Sequence, residues 1–339
     1  MADQTPAPRR RPTITTVAQA AGVSIATVSR VMTGSPSVTP DLAARVNKVA
    51  AELSYRPSSA ARGLALGSLR NVGVLLPDLG NAYFFDVVKQ MHHSAHADGY
   101  RMLIADHTGD AVDELTTATD LLGQVDGLIL LSSRIPASGL KQLARQSTPI
   151  VLVNRIELGV DIPMVAVDNF TPVVELCGKL AQFGHRRITY ISGSDLAWQN
   201  RERRRGIEMA KVFGIEANTV TSDGTIEGAY RAVELALEHQ PTALVCFNDL
   251  SALGAISRLR ELGLSVPHDI SVTGFDDIAM AKHLDPRLTT VKSPKTELGD
   301  HAWTLMAESL AGRQPVSPPL LTAELIMRDS TGPASSETK

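Results

Sequence analysis

Val23-Ser24-Ile25-Ala26-Thr27-Val28-Ser29-Arg30-Val31-Met32-Thr33-Gly34 follows directly on Thr15-Thr16-Val17-Ala18-Gln19-Ala20-Ala21-Gly22, and the join between the two stretches decides how the N-terminal part of the chain folds. Gly22 can end a short helix, because glycine enters the left-handed backbone region without steric cost. Ser24 then opens a second helix as its N-cap, its hydroxyl accepting from a backbone N–H that has no partner inside the helix. Two short helices across a tight turn make a helix-turn-helix. Val17 and Ala20 on the first helix, and Val28 and Val31 on the second, recur at spacings of three. That spacing is expected to pin the helices together and leave Ile25, Ala26, Thr27 and Arg30 facing outward, where a helix can enter a major groove. A third helix starts at Thr39-Pro40-Asp41 and carries the apolar stripe Leu42, Val46, Val49 and Leu53, expected to cover the other two.

Working outward, Tyr55-Arg56-Pro57-Ser58-Ser59-Ala60-Ala61-Arg62-Gly63-Leu64-Ala65 leads straight into Asn71-Val72-Gly73-Val74-Leu75-Leu76-Pro77-Asp78. The segment 58–65 is too short to hold a helix alone in water, where nucleation is unfavourable below ~12 residues, and Gly63 weakens it further. It is expected to be a hinge that orders only against DNA and a partner chain. In this order of motifs the chain resembles the LacI family of bacterial transcription regulators over about residues 13–330. The resemblance implies a homodimer, or a tetramer, that reads palindromic double-stranded operator DNA and is controlled by a small effector. It points to Thr15, Ser24, Ile25, Ala26, Thr27, Arg30, Tyr55, Ala61 and Leu64 as the DNA-contacting set, with Leu64 as a wedge between central base pairs and Ala61 beside it.

Composition agrees with a soluble, multi-domain chain: 339 residues, 43% hydrophobic and 20% charged. The net charge of -3 hides an asymmetry, since residues 1–70 hold nine Lys and Arg against three Asp and Glu, leaving 24 against 33 for the rest. A basic head on an acidic body suits a module that meets phosphates carried by one that stays off them. Cys177 and Cys246 lie in apolar runs with no metal-ligand spacing and read as buried, reduced thiols. No leader-like or membrane-length apolar run is found, so a cytoplasmic location is expected, with no membrane association.

The fold class expected is α/β: an all-α helix-turn-helix headpiece plus a two-lobed, periplasmic-binding-protein-like core of parallel sheets flanked by helices. Residues 1–12 read as a mobile basic arm, 13–57 as the headpiece, 58–68 as hinge and linker, 69–330 as the core and 331–339 as a flexible tail. Continuous apolar strands, the mark of a sheet covered on both faces, are expected at 71–76, 100–105, 127–131 and 150–154, with helices at 84–98, 111–122 and 139–145. A second set begins near Val165 and runs through 172–182, 188–192, 201–213, 243–247, 251–262 and 271–274. The resemblance adds extra crossings near Thr290 and after Pro319. It divides the core into lobe one, about 69–163 and 291–320, and lobe two, about 164–290 and 321–330.

In open α/β sheets ligands sit outside the carboxyl ends of strands, so the loops after Leu76, Val153, Ile191, Phe247 and Gly274 are the ones to watch. By resemblance Arg203, Asn248 and Asp276 fall where relatives hold their effector, and Asn81, Tyr83, Phe84, Arg155 and Trp198 complete the expected site. A guanidinium fork, an amide and a carboxylate can satisfy vicinal hydroxyls, while Trp198 or Tyr83 can lie against a ring, which suggests a sugar or nucleoside. Each has a plain structural alternative: Asp249 and Asp276 as helix caps, Arg155 and Arg203 as internal ion pairs, Phe84 as core. His92 and His96 stand four apart on one helix, yet no third ligand completes a metal site. Motifs for phosphoryl, hydride and acyl chemistry are absent, so neither catalysis nor a cofactor is expected. Three other readings are weighed: a transport binding protein on the same core, disfavoured by the basic head; a sugar-modifying enzyme, which lacks an acid or nucleophile; and a regulator controlled by a phosphoprotein.

Overall fold

The computed structural model describes residues 12–55, 68–107 and 111–335. The chain divides into two compact units, Met1–Arg70 and Asn71–Lys339. In the first, α1 (Ile14–Ala21) ends at Gly22, which has φ 64°, and α2 (Ile25–Met32) is capped by Ser24, whose hydroxyl accepts from Thr27 N at 3.1 Å. The third helix, α3 (Pro40–Glu52), has Pro40 in its first turn, but its N-cap Thr39 makes no side-chain capping bond. The three helices close on Val17, Ala18, Ala21, Val28, Val31, Val46 and Ala50. Ala20, expected in that seam, is exposed; the buried face of α1 is set by Val17 and its i+1 and i+4 neighbours instead. Tyr55 lies half-buried against the same core.

The second unit is built on two parallel sheets. The first has the order β2-β1-β3-β4-β5, with β1 (Asn71–Leu76), β2 (Arg101–Asp106), β3 (Gly127–Leu131), β4 (Ile150–Val153) and β5 (Met164–Val165). Helices α4 (Ala82–Ala97), α5 (Ala111–Leu122) and α6 (Ala137–Leu143) connect them. After β5 the chain enters lobe two through α7 (Thr171–Gln182). The second sheet has the order β7-β6-β8-β9, from β6 (Arg187–Ile191), β7 (Glu216–Val220), β8 (Ala243–Cys246) and β9 (Ser271–Thr273). Its connections are α8 (Trp198–Glu208) with a short 3-10 turn after it, α9 (Ile226–Leu237) and α10 (Asp249–Glu261). The chain returns through β10 (Thr290–Lys292) to α11 (Lys295–Leu310), which packs on α4, and ends in β11 (Glu324–Ile326), antiparallel to β10.

Strands β1, β3 and β4 are fully buried, as Val, Leu and Ile runs covered by helices on both faces must be. Three elements lie outside the sequence reading: β7, α9 and α11. Strand β7 is Glu-Ala-Asn-Thr-Val on the sheet edge, mostly polar and partly exposed, so it lacks the apolar run that marks its neighbours. The register of β5 on β4 places Met164 and Val165 in the first sheet, which moves the lobe boundary past residue 163. In each sheet the order reverses beside the first strand of its lobe, between β1 and β3 and between β6 and β8. That reversal opens a crevice at the carboxyl ends of the strands.

Candidate functional site

A cavity of about 410 Å³ occupies that crevice. Both sheets contribute to it at their carboxyl ends. From lobe one come Pro77, Asp78, Asn81, Tyr83 and Phe84 after β1, Asp106 and His107 at the end of β2, Ser132 and Arg134 after β3, and Asn154 after β4. From lobe two come Ala197, Gln199 and Arg203 after β6, Asp223, Gly224 and Thr225 after β7, Phe247 and Asn248 after β8, and Asp276 after β9.

Its floor is polar and buried. Arg203 is 4% exposed and Asp276 5%. The Arg203 guanidinium lies 3.5 Å from the Phe275 ring centroid and 4.6 Å from that of Phe247, a cation held between two aromatic faces. It donates from Nε to Asn169 Oδ1 at 2.9 Å and from NH1 to the Phe247 carbonyl, and its NH2 stands 3.7 Å from Asp276 Oδ1. Burial pushes the Asp276 carboxyl up to about 6, against the opposing pull of Arg203 and Lys295. Asp249, beneath it, is pushed up to about 8 by burial and by the Asp276 charge, while accepting from Thr290 Oγ1 at 2.5 Å and Ile278 N at 2.8 Å.

Local structure fixes the other walls. Asn81 caps α4 by accepting from Tyr83 N, and Asn248 caps α10 by accepting from Ser251 N while donating to Gly224 O. Gly224 has φ 84° and brings the chain so close to Phe247 that a Cβ there would sit 3.0 Å from the ring. Gln199 of lobe two donates to Ser132 Oγ at 2.8 Å and to the Asn154 carbonyl at 2.6 Å, tying the lobes across the back of the cavity. Asn154 Nδ2 in turn donates to Tyr83 Oη at 3.1 Å. Ser132 (φ 54°), Asn154 (φ 60°) and Asp276 (φ 111°) all line the cavity with positive φ. Such backbones cost of order 1–3 kcal/mol each and cluster at ligand clamps.

Of the expected effector residues, Asn81, Tyr83, Phe84, Arg203, Asn248 and Asp276 line this cavity, whereas Arg155 and Trp198 do not. Arg155 is a correction: buried at 3% exposure, it donates to the Ser133 and Ile135 carbonyls and pairs with Glu157, turned away by the left-handed Asn154 before it. Trp198, buried in the first turn of α8, is flanked by Ala197 and Gln199, which do line the cavity. Among the described helices, none whose N-cap is assigned has Asp276 there. His107, which the sequence reading passed over, is 4% exposed, with Nε2 3.3 Å from Glu114 Oε2. Burial raises the Glu114 carboxyl, and its Oε2 also accepts from Arg134 N. His92 and His96 stack at 6.1 Å, and among the described residues no three His, Cys, Asp or Glu are placed to hold a metal.

On the first unit, α2 presents Ile25, 48% exposed, with Ala26 and Arg30 also exposed and Thr27 half-buried. The Ser24 and Thr27 hydroxyls lie 2.9 Å apart, and Thr15 is exposed on α1. The hinge at 58–65, with Ala61 and Leu64, falls outside the described residues. No described helix is long and apolar enough to cross a membrane.

Comparison with known proteins places both units. Residues 13–58 match the model of bacterial regulatory proteins of the lacI family, and residues 178–331 match a periplasmic binding protein-like domain. The chain is 33% identical over 328 residues to the HTH-type transcriptional repressor CytR of Escherichia coli K12, covering 94% of this chain and 96% of that one. Among solved structures it resembles the transcriptional regulator CelR in complex with cellobiose, at TM-score 0.70 and 28% identity over 94% of this chain and 100% of the other. It also resembles the lac repressor dimer bound to operator and the anti-inducer ONPF, at TM-score 0.79 and 25% identity over 95% of this chain and 100% of the other.

Proposed function

The chain belongs to the LacI family of bacterial regulatory proteins and is a DNA-binding transcriptional regulator, and on that premise we propose that it is a homodimeric repressor whose operator affinity is set by a polyhydroxylated ligand held between the core lobes. One observation carries the ligand half of this reading. Buried Arg203 on α8, Asn248 at the N-cap of α10 and Asp276 after β9, all of lobe two, meet Tyr83 and Phe84 of lobe one around a single cavity. Buried charge is expensive unless it is paired and hydrogen-bonded, and a carboxylate, an amide and aromatic walls suit hydroxyls on a ring. The lac repressor dimer and the cellobiose-bound CelR support a dimer and a sugar-class ligand.

On the DNA side, Ile25, Ala26 and Arg30 face the major groove of a half-site. Arg30 pairs with guanine, and Ile25 and Ala26 meet thymine methyls. Thr15, Ser24, Thr27 and Tyr55 position the headpiece on phosphates, and Leu64, with Ala61, wedges the central step. The protein acts in the cytoplasm, without catalysis. Site selection with the full chain, then calorimetry against sugars and nucleosides, tests both halves. A palindromic motif and a ligand lost in Asp276→Ala are expected. A ligand bound equally well by that variant overturns the cleft assignment.

A further inference from the structure

Several of the cavity's donors are committed inside the protein, while two of its acceptors are left open. Arg203 gives Nε to Asn169 and NH1 to the Phe247 carbonyl. The Asn248 amide goes to Gly224 O at 3.0 Å, and that of Gln199 goes to Ser132 Oγ and Asn154 O. On the other side of the ledger, Asn154 Oδ1 is buried with no hydrogen-bond partner, on a residue only 4% exposed that lines the cavity. Among the described residues no hydrogen bond reaches the Asp276 carboxylate, and its nearest cation is Arg203 at 3.7 Å. Both atoms call for a ligand that brings hydrogens.

Charge points the same way. Asp78, Asp106 and Asp223 stand exposed at the mouth, from the ends of β1, β2 and β7. With Asp276 they set four carboxylates against the guanidinium groups of Arg134 and Arg203, and His107 brings Glu114 close behind it. Arg134 itself lies in the field of Glu114, Asp223 and Asp78. A narrow cleft with an excess of one sign focuses its field and repels that sign. A phosphate ester adds about 1.5 to 2 negative charges and oxygens that only accept.

We propose, resting on the reading of this cavity as the ligand site, that it takes the uncharged, hydroxyl-rich form of its ligand and rejects the phosphorylated form, with Asp78, Asp106 and Asp223 as the residues that set this specificity. The regulator thus senses its compound before phosphorylation and not after.

The test is calorimetry on the full chain with matched pairs: ribose and ribose 5-phosphate, glucose and glucose 6-phosphate, and nucleosides with their 5′-monophosphates. For whichever neutral member binds, the ester is expected to bind weaker by on the order of 100-fold. In D78N/D106N/D223N that ratio is expected to fall about tenfold, because asparagine keeps the acceptors that serve Gly80 N and Thr225 N while removing the charge. An ester that binds as tightly as its parent overturns the inference and leaves the cavity reading standing. A ratio unchanged in the triple variant overturns the role of the rim. Neutral binding undiminished in Asp276→Ala means the ligand lies elsewhere, and the cavity reading falls.

Discussion

On α2 the side chains proposed to meet DNA point away from the core of Val17, Val28 and Val46 into water, while in the cleft Arg203, Asn248 and Asp276 are each 5% exposed or less and sit among aromatic rings. The exposed set costs the fold nothing to carry. The buried set is charge out of water, held by a few bonds and by strained backbone at Ser132, Asn154 and Asp276. The difference teaches how each surface fails when altered: a lost α2 side chain removes affinity, whereas a lost cleft side chain disturbs the core and the ligand together.

The sharpest way to break this contrast is Arg203→Ala. It strands Asp276 above Asp249 and empties the space against Phe275, so core stability should fall by about 3–5 kcal/mol. Calorimetric melting checks this; an unchanged core transition shows that the pair is not structural. Next is Arg30→Ala, expected to cost ~1–3 kcal/mol on the cognate operator and to relax one position per half-site, with no change in melting. Binding-site selection that returns the same motif removes Arg30 from base reading.

Ser24→Ala blurs the contrast on purpose, since this residue caps α2 and is also proposed to face phosphates. The cap loss costs about 1 kcal/mol of headpiece stability, read by denaturant titration of the first unit's transition. No loss means that the Thr27 N bond contributes nothing.

A further contrast is with pH. Asp276 and Asp249 have raised pKa values, about 6 and about 8, so the folded core binds protons more readily than the unfolded chain. Core stability from these groups is therefore present at low pH and falls as pH rises from about 4 towards 8. Ligand affinity runs the other way, falling as pH drops through about 6 and the Asp276 acceptor takes a proton. Melting and calorimetry across that range check both signs; parallel trends contradict the assignment.

How much of this was legible follows from what is local. Gly22, Ser24 and Pro40 act on their own neighbours, so the headpiece could be read from spacing alone. The strand-end rule points to Tyr83, Asn248 and Asp276, which follow the strands expected at 71–76, 243–247 and 271–274. Asp106, His107, Ser132, Arg134 and Asp223 lie at the ends of β2, β3 and β7, and Ser132 directly follows Leu130-Leu131. Strand β7 hid because its edge position tolerates Glu216, Asn218 and Thr219. Arg155 and Trp198 stand next to cavity residues in sequence, and consecutive side chains point different ways.

The central claim, that cleft and headpiece do separate chemistry and are coupled through the chain, is tested most directly by operator binding to wild type and Asp276→Ala, with and without the neutral ligand identified by calorimetry. Fluorescence anisotropy on a labelled operator should show equal affinities without ligand. Ligand should then shift wild type by about 5- to 150-fold, the range of a typical coupling energy, and leave Asp276→Ala unmoved. A variant that keeps the shift, or that loses operator affinity before any ligand is added, would contradict the account.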